Sequence, residues 1–537
     1  MTVILEAVDL EYSIGDRLLL KADRLKVNSR DRIGIVGMNG AGKTTLMRIL
    51  AGEIEPERGT VTVTVPIVHI PQFKPADAQL SGGEMTAAIL DSALMGNEPL
   101  VLADEPTMHL DAAHTEELEK RLAERDGALV LISHDRAFLD KLCTHIWALE
   151  NGTVRVYKGN YSDYANAKDS EKQLQQKRYE QYVAKKSQLE QAIRSKTIKA
   201  AGMLKPPKRM STSESRLYKD GAAKTQKGVH RSIKALKTRL DRLEKVERPR
   251  ELPRIWLDTP GESDFVSQTA LRVEKLSAVL GGRTLWQNVS FALRKGSKTA
   301  LIGPNGSGKT TLIQRIVAGG EGIYLPPDAK LGYFSQDLSM LDLDASVFSN
   351  VRTAAVHPDA VIRLILARLL FKGEDIGKPA GVLSGGERVR ASLAKILLSD
   401  ANVLILDEPT NFLDIPSLEA LEEMIREYTG TVLFVSHDRR FVERAADQIL
   451  AIENGAVHFF EGPFQAYMEY RSKRARKTGR EELAAELQVV ETRISEVLGK
   501  IGMAAAGRSK QAEPGLEEQF QELVQRRKQL QKELGQI

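Results

Sequence analysis

Two stretches 266 residues apart constrain this chain more than anything else in it. Gly37-Met38-Asn39-Gly40-Ala41-Gly42-Lys43-Thr44 fits the phosphate-cradling pattern G-x-x-x-x-G-K-[ST], and Gly303-Pro304-Asn305-Gly306-Ser307-Gly308-Lys309-Thr310 repeats it. In each copy an apolar run (Ile33 to Val36; Thr299 to Ile302) precedes the loop and a helical pattern (Thr45 to Leu50; Thr311 to Val317) follows, the context that gives such a match its meaning. Glycines let backbone N–H groups approach phosphates, the lysine neutralises terminal phosphate oxygens, and the hydroxyl suits Mg²⁺. A single match is open to chance as a glycine turn. Two in register are not.

The 537 residues, 28% charged and 42% apolar, imply three or four domains of ordinary soluble composition. The single cysteine, Cys143, excludes an internal disulfide framework. The first residues, MTVILEAVDLEYS, lack the basic segment and apolar run of a signal peptide, and no apolar run approaches the roughly 18 residues of a membrane span. A soluble, cytoplasmic protein is therefore expected.

The duplication extends beyond the loops. Gln72 maps to Gln336 at a shift of 264, whereas Leu80–Glu84 (LSGGE) maps to Leu383–Glu387 at 303. Asp104-Glu105-Pro106-Thr107 maps to Asp407-Glu408-Pro409-Thr410, and Ser133-His134-Asp135 to Ser436-His437-Asp438, also at 303. About 39 residues between the glutamine and LSGGE are thus present only in the second copy, where Asp359 to Phe371 has helical spacing. The first copy has lost most or all of a helical subdomain.

Leu100–Ala103 and Val403–Leu406 read as buried parallel strands, each delivering an aspartate, Asp104 or Asp407, to the Mg²⁺ side of the phosphates. Glu105 and Glu408 follow directly and suit the orientation or polarisation of an attacking water. An acidic pair after a strand is otherwise a solvated loop or helix cap. His134 and His437 follow apolar strands (Leu129 to Ile132; Val432 to Val435) and are candidates to contact a γ-phosphate; a lone histidine is usually structural, but this one is repeated.

Between the copies the composition changes. Residues 168–250 carry 24 Lys+Arg against 9 Asp+Glu, net +15 in a chain of net +5. One arm, Glu171 to about Arg194, spaces Tyr179, Tyr182, Leu189 and Ile193 helically; the other spaces Val229, Ile233, Leu236, Leu240 and Leu243 likewise, as in an antiparallel helical hairpin. The piece between, 195–228, reads as an irregular or partly helical tip with Met203, Leu204, Leu217 and Tyr218 among lysines. A solvated spacer is the plain alternative. But a spacer gains nothing from self-repelling charge, whereas cations neutralise phosphates and apolar groups wedge against bases, so RNA or DNA is the expected partner. The tail gives Leu483, Leu487, Val490, Ile494 and Val497, then Leu516, Phe520, Leu523, Leu530 and Leu534, a second helical hairpin that is either a packing element or a further nucleic-acid contact.

LSGGE between a phosphate loop and DEP resembles the signature of ATP-binding cassette ATPases. The resemblance implies an α/β fold with two cassettes in tandem (1–167 and 251–471), joined by the basic helical linker (168–250) and followed by the C-terminal hairpin (472–537). It also implies ATP and Mg²⁺ as ligands, and cassettes paired within a monomer so that each ATP meets one phosphate loop and the other cassette's LSGGE. By resemblance, one site would use Gly37, Asn39, Gly40, Gly42, Lys43, Thr44, Thr45, Gln72, Asp104, Glu105 and His134 with Ser384, Gly385 and Gly386. The other would use Gly303, Asn305, Gly306, Gly308, Lys309, Thr310, Thr311, Gln336, Asp407, Glu408 and His437 with Ser81, Gly82 and Gly83. Thr44, Gln72 and Asp104, and Thr310, Gln336 and Asp407, would hold Mg²⁺. Tyr12 would stack on adenine in the first cassette; Ser277-Ala278-Val279-Leu280 offers no ring in the second.

Tandem cassettes with a long linker and no membrane span resemble the ABC-F proteins, which implies binding to the 70S ribosome (23S rRNA and P-site tRNA) at the exit site. The shortened first cassette, extended linker and C-terminal hairpin are most similar to the Vga-type resistance proteins. That resemblance implies that the linker tip dislodges lincosamide, pleuromutilin or streptogramin A drugs from the peptidyl-transferase region. A housekeeping translation factor is the alternative within the family. Outside it stand a DNA-repair or chromosome ATPase, which would cosediment with DNA, and a transporter ATPase, which would need a membrane partner and leaves the linker unexplained.

Overall fold

The computed structural model describes residues 2–72, 96, 98–108, 110–202, 212–246, 267–335, 339–505 and 516–536. Ser81, Gly82, Gly83, Gln336, Met203 and Leu204 lie outside them, and of Leu217 and Tyr218 only the backbone is described. The chain divides into two units: Met1–Ile255 with Arg363–Gly373 and Leu413–Pro416, and Trp256–Ile362 with Glu374–Phe412 and Ser417–Ile537.

In the first unit β1 (Val3–Ile14) and β2 (Arg17–Asn28) form an antiparallel hairpin, β3 (Arg32–Gly37) leads into α1 (Lys43–Leu50), and β4 (Arg58–Val63) and β5 (Ile67–Ile70) follow. β6 (Leu100–Asp104), α2 (Ala112–Glu124), β7 (Ala128–Ile132), α3 (Arg136–Leu142), β8 (His145–Glu150) and β9 (Thr153–Lys158) complete the cassette. The sheet order is β4-β1-β2-β9-β8-β3-β7-β6-β5. Its centre is parallel: Ile33 faces Val130 on β7 and His145 on β8, and Leu100 faces Ala128. All five residues of β6 and of β7 are buried, as strands covered on both faces must be. The apolar runs read from the sequence form the middle of the sheet, and the phosphate loop leaves the carboxyl end of its central strand, where open α/β sheets place ligands.

The second unit repeats this plan. β10 (Thr269–Leu280) and β11 (Arg283–Arg294) form its hairpin; β12 (Lys298–Ile302) precedes α6 (Lys309–Ala318), and β13 (Ile323–Tyr324) and β14 (Leu331–Phe334) follow. The helical insert contains α7 (Val347–Arg352) and α8 (Asp359–Arg368); α8 stops before Phe371 because Leu370 turns to φ 65°. Then come α9 (Gly385–Leu397), β15 (Val403–Asp407), α10 (Ile415–Glu427), β16 (Thr431–Val435), α11 (Arg439–Ala445), β17 (Gln448–Glu453) and β18 (Ala456–Glu461). The parallel core is again ordered with β12 between β16 and β17.

The linker arms are longer than their apolar spacing alone suggests. Helix α4 runs Tyr161–Gly202 and α5 runs Thr212–Asp241. No glycine or proline interrupts α4 before Gly202, so the helix continues from the cassette edge through the first arm and into the tip. Leu189, Ala200 and Ile233 are buried between the arms, and Lys196 Nζ donates to Ser232 Oγ at 2.8 Å across them. At the C-terminus α12 (Phe464–Ala505) and α13 (Leu516–Gln536) bury Val490, Ile494 and Leu530, with Leu483, Leu487, Phe520 and Leu523 packed around them. Among the described residues no helix is long and apolar enough to cross a membrane.

Candidate nucleotide site

Helices α1 and α6 begin differently from their neighbours. Asp111, Asp135, Ser384 and Asp438 close their helices by accepting backbone N–H bonds. At α1 and α6 the N-cap is Gly42 or Gly308, in the left-handed region, with no side-chain cap. First-turn N–H groups left unmet by side chains carry the positive end of the helix dipole and suit a phosphate. Gly40 (φ 73°) and Gly306 (φ 71°) add a second left-handed residue to each loop, so successive N–H groups converge in a nest. Lys43 Nζ folds back on this loop, donating to the Gly37 carbonyl at 2.8 Å and to Met38 at 3.1 Å; Lys309 does the same to Gly303 at 2.9 Å and Pro304 at 3.1 Å. Burial holds the Lys43 ammonium below its ordinary pKa, against the pull of Glu105 and Asp104. Thr45 and Thr311 lie in the first turns of α1 and α6, and Asn39 and Asn305 in the two loops.

The acidic side of the site comes from the ends of β6 and β15. Thr310 Oγ1 reaches Asp407 Oδ1 at 3.5 Å, and burial raises the pKa of Asp407 while the Thr310 hydroxyl opposes it. Asp104 is raised for the same reason, opposed by Thr44. The Asp104 Oδ2 atom is buried without a hydrogen-bond partner. Gln72 lies just past β5 and is exposed.

Glu105 and Glu408 extend the strand by one hydrogen bond and then leave it. The Glu105 N–H donates to the Ile132 carbonyl at 2.9 Å, and that of Glu408 to Val435 at 3.2 Å. Both residues then sit at positive φ, 51° and 52°. A non-glycine residue there is strained by about 1–3 kcal/mol, and such strain gathers at functional sites. Each carboxylate meets the histidine two residues past the end of the neighbouring strand: His134 Nε2 lies 3.2 Å from Glu105 Oε1, and His437 Nε2 lies 3.2 Å from Glu408 Oε1. The His134 backbone N–H also donates to Glu105 Oε2 at 3.3 Å. Burial pushes the pKa of both glutamates up to about 7, and pushes His134 down to about 3 with help from Lys43. The Glu105–His134 contact is therefore a neutral imidazole beside a carboxyl group poised at its ionisation. Beyond these histidine contacts, Glu105 Oε1 and the Glu408 carboxylate oxygens are buried without a further hydrogen-bond partner, a costly arrangement unless they have work to do.

Ser384 caps α9 in a capping box with Glu387, and Gly385 and Gly386 open its first turn, so the LSGGE glycines of the second cassette stand at a helix N-terminus. Tyr12 is half-buried and packs against the first unit's core. The positive φ of Glu105 and Glu408 is a feature of the candidate site that sequence reading missed. Its only trace there was the repetition of an acidic pair directly after a strand.

Comparison with known proteins covers both phosphate loops and the linker. The family model described as ABC transporter matches residues 20–70 and 286–411, and a second model of that description matches 147–256. The chain is 32% identical to the ribosome protection protein VmlR of Bacillus subtilis, over 99% of both chains. It is 34% identical to the erythromycin resistance ATP-binding protein MsrA of Staphylococcus epidermidis, over 84% of this chain and 97% of MsrA. It is also 34% identical to the energy-dependent translational throttle protein EttA of Escherichia coli O6:H1, over 76% of this chain and 70% of EttA. With two phosphate-loop cassettes, a matched linker and this identity along its whole length, the chain belongs to the ABC-F family and hydrolyses ATP to ADP and phosphate.

Proposed function

We propose that this ATPase binds the 70S ribosome and protects translation by dislodging antibiotics of the lincosamide, pleuromutilin and streptogramin A class from the peptidyl-transferase region, with ATP hydrolysis driving its release. The observation that carries the reading is similarity along 99% of both chains to a protein named for ribosome protection. The linker supports it. Helix α4, with 42 residues at about 1.5 Å rise, is roughly 60 Å long, and the tip from Arg194 to Arg231 carries 11 Lys+Arg against 2 Asp+Glu. Such a finger reaches far from its cassette with a charge suited to rRNA and the P-site tRNA. In this reading Met203, Leu204, Leu217 and Tyr218 act on the drug or on the bases lining its pocket, and the protein works in the cytoplasm as a monomer.

Glu105 and Glu408 orient the attacking water and receive its proton, with His134 and His437 beside the γ-phosphate. Mg²⁺ would be held by Thr44, Gln72 and Asp104 and by Thr310, Gln336 and Asp407, where it would neutralise charge on the phosphates. The oxygen donors suit that ion: one carboxylate with a hydroxyl beside it, and a buried carboxylate oxygen free of protein partners.

Identity to EttA favours a second reading, a housekeeping translation factor. The test is cell-free translation under drug. The intact protein should restore synthesis, and replacing Met203, Leu204, Leu217 and Tyr218 by Ala should abolish rescue while ATP hydrolysis persists. Failure of the intact protein to counter any drug of these classes leaves the housekeeping role.

A further inference from the structure

Thr107 and Thr410 close the two repeats of Asp-Glu-Pro-Thr, and Ser133 and Ser436 open the two repeats of Ser-His-Asp. In each cassette these hydroxyls meet. Thr107 Oγ1 lies 3.3 Å from Ser133 Oγ, and Thr410 Oγ1 lies 2.9 Å from Ser436 Oγ. Each threonine follows its glutamate by two positions, and each serine directly precedes its histidine. The hydroxyl pair therefore bridges the same two loops as the glutamate–histidine contact.

The sheet gives out where this bridge begins. The parallel ladder ends at Asp104 beside Ile132 and at Asp407 beside Val435. One backbone bond follows it, from the Glu105 N–H to Ile132 or from that of Glu408 to Val435. Each loop then turns: the Met108 N–H donates to the Glu105 carbonyl at 3.1 Å and that of Asn411 to Glu408 at 3.2 Å, with the threonine inside the turn. A glutamate held at positive φ needs its surroundings to keep it there. The hydroxyl pair supplies a tie beyond the ladder, and its serine end is fixed. Ser133 and Ser436 are buried, and each Oγ also accepts the N–H of the aspartate two residues on, Asp135 or Asp438, at 3.0 Å. Those aspartates in turn cap α3 and α11. A hydroxyl has one proton and two lone pairs, so each serine can take that N–H and still pair with its threonine.

We propose that Thr107 with Ser133, and Thr410 with Ser436, are positioning residues for ATP hydrolysis: each hydroxyl pair holds the glutamate loop to the histidine loop and so fixes the carboxylate against the attacking water. The pair acts through Glu105 and Glu408, so the inference rests on the role proposed for those glutamates. A misplacement of about 1 Å at a reacting group costs roughly a hundredfold in rate. Nucleotide affinity stays with the phosphate loop, which the bridge does not include. Loss of the hydroxyls should therefore fall on kcat and spare KM.

The test is steady-state ATP hydrolysis by the full chain carrying Thr107→Val/Thr410→Val, which removes the hydroxyls and keeps the branched shape. Beside it stands Thr107→Ser/Thr410→Ser, which keeps the hydroxyls and removes the methyl groups. We expect the valine variant to lose about ten- to a hundredfold in kcat with KM for ATP within about twofold of wild type, and the serine variant to keep kcat within about threefold. Added to Glu105→Gln/Glu408→Gln, the valines should lower the residual rate by less than about twofold, since no carboxylate is then left to position. A valine variant with wild-type kcat overturns the inference. So does a serine variant as slow as the valine one, or a KM that rises as far as kcat falls, since either marks packing rather than the hydroxyl. A further tenfold or greater loss in the glutamine background overturns it too, because the hydroxyls would then act on their own. Hydrolysis at the wild-type rate by Glu105→Gln/Glu408→Gln alone would instead remove the role of the glutamates, and that of the hydroxyls with it.

Discussion

Glu105 and His134 stand 3.2 Å apart, carboxylate to imidazole, and Glu408 and His437 repeat that distance in the second cassette. Two independently placed strand ends produce the same pair, each with its glutamate in a strained left-handed turn. A carboxyl group whose pKa burial has raised to about 7 is matched to accepting a proton near neutrality. Catalysis should therefore depend on pH through these groups. In the proposed reaction these carboxylates take the water's proton, so the deprotonated form would be the active one and kcat/KM for ATP should fall about tenfold per pH unit below roughly pH 7. The residual rate of a Glu105→Gln/Glu408→Gln variant should be flat over that range. A wild-type profile that stays level down to pH 5 would contradict the assignment.

The same burial affects stability. Each glutamate's folded pKa, about 7, lies above its ordinary 4.5, so the folded state binds more protons between those values. Stability is lost as pH rises from 4.5 through 7, because a buried charge must form. Removing that charge with Gln should stabilise the protein above pH 7 by a few kcal/mol at most, since each pH unit between the folded and unfolded pKa is worth about 1.4 kcal/mol. The gain should vanish near pH 4.5, where the carboxyl is largely neutral in the folded state. Thermal melting without nucleotide at the two pH values reads this directly; an equal gain at both would mean that charge is not its cause.

A third prediction separates the glycines of one loop. Gly308 has φ 93° and a would-be Cβ 2.8 Å from Nε1 of fully buried Trp286, whereas Gly306 has φ 71° and open space around it. Gly308→Ala should cost about 1–3 kcal/mol for the backbone and more for the indole. Gly306→Ala should cost only the backbone part. Denaturant unfolding of the two variants should rank them in that order, and the reverse order would show that Trp286 yields easily.

The linker seam gives a fourth. Ile233→Ala removes a side chain buried between α4 and α5, and should loosen the finger by about 1–3 kcal/mol. Proteolysis within residues 161–241 should speed up while ATP turnover without ribosomes stays within about twofold of wild type. Equal loss of both would mean that the arms also support the cassette.

What could be read from the residues was the short-range chemistry. The loop around Lys43, the runs Leu100–Ala103 and Leu129–Ile132 and the seam through Leu189 and Ile233 each depend on a few neighbours, and each lies where its spacing predicts. The reach of α4 was hidden because its first turns, from Tyr161, belong to the repeated cassette and carry no break in pattern. The turn at Glu105 was not legible, since its φ is set by the hydrogen bond to Ile132 on another strand. Nor was the exchange of Tyr12 and Leu20 for Ala278 and Trp286, because spacing along one strand says nothing of the residue paired across it.

The most direct test of the account is sedimentation of the Glu105→Gln/Glu408→Gln variant with purified 70S ribosomes, with and without ATP. Glutamine keeps the shape of the site but cannot take the water's proton, so the variant should bind ATP and fail to reset. We predict that with ATP it pellets in near-equal amount with ribosomes, while wild type, which turns over, is largely released. A variant that stays in the supernatant with ATP, or that sediments with DNA rather than with ribosomes, would contradict the claim that hydrolysis at these glutamates governs release from the ribosome.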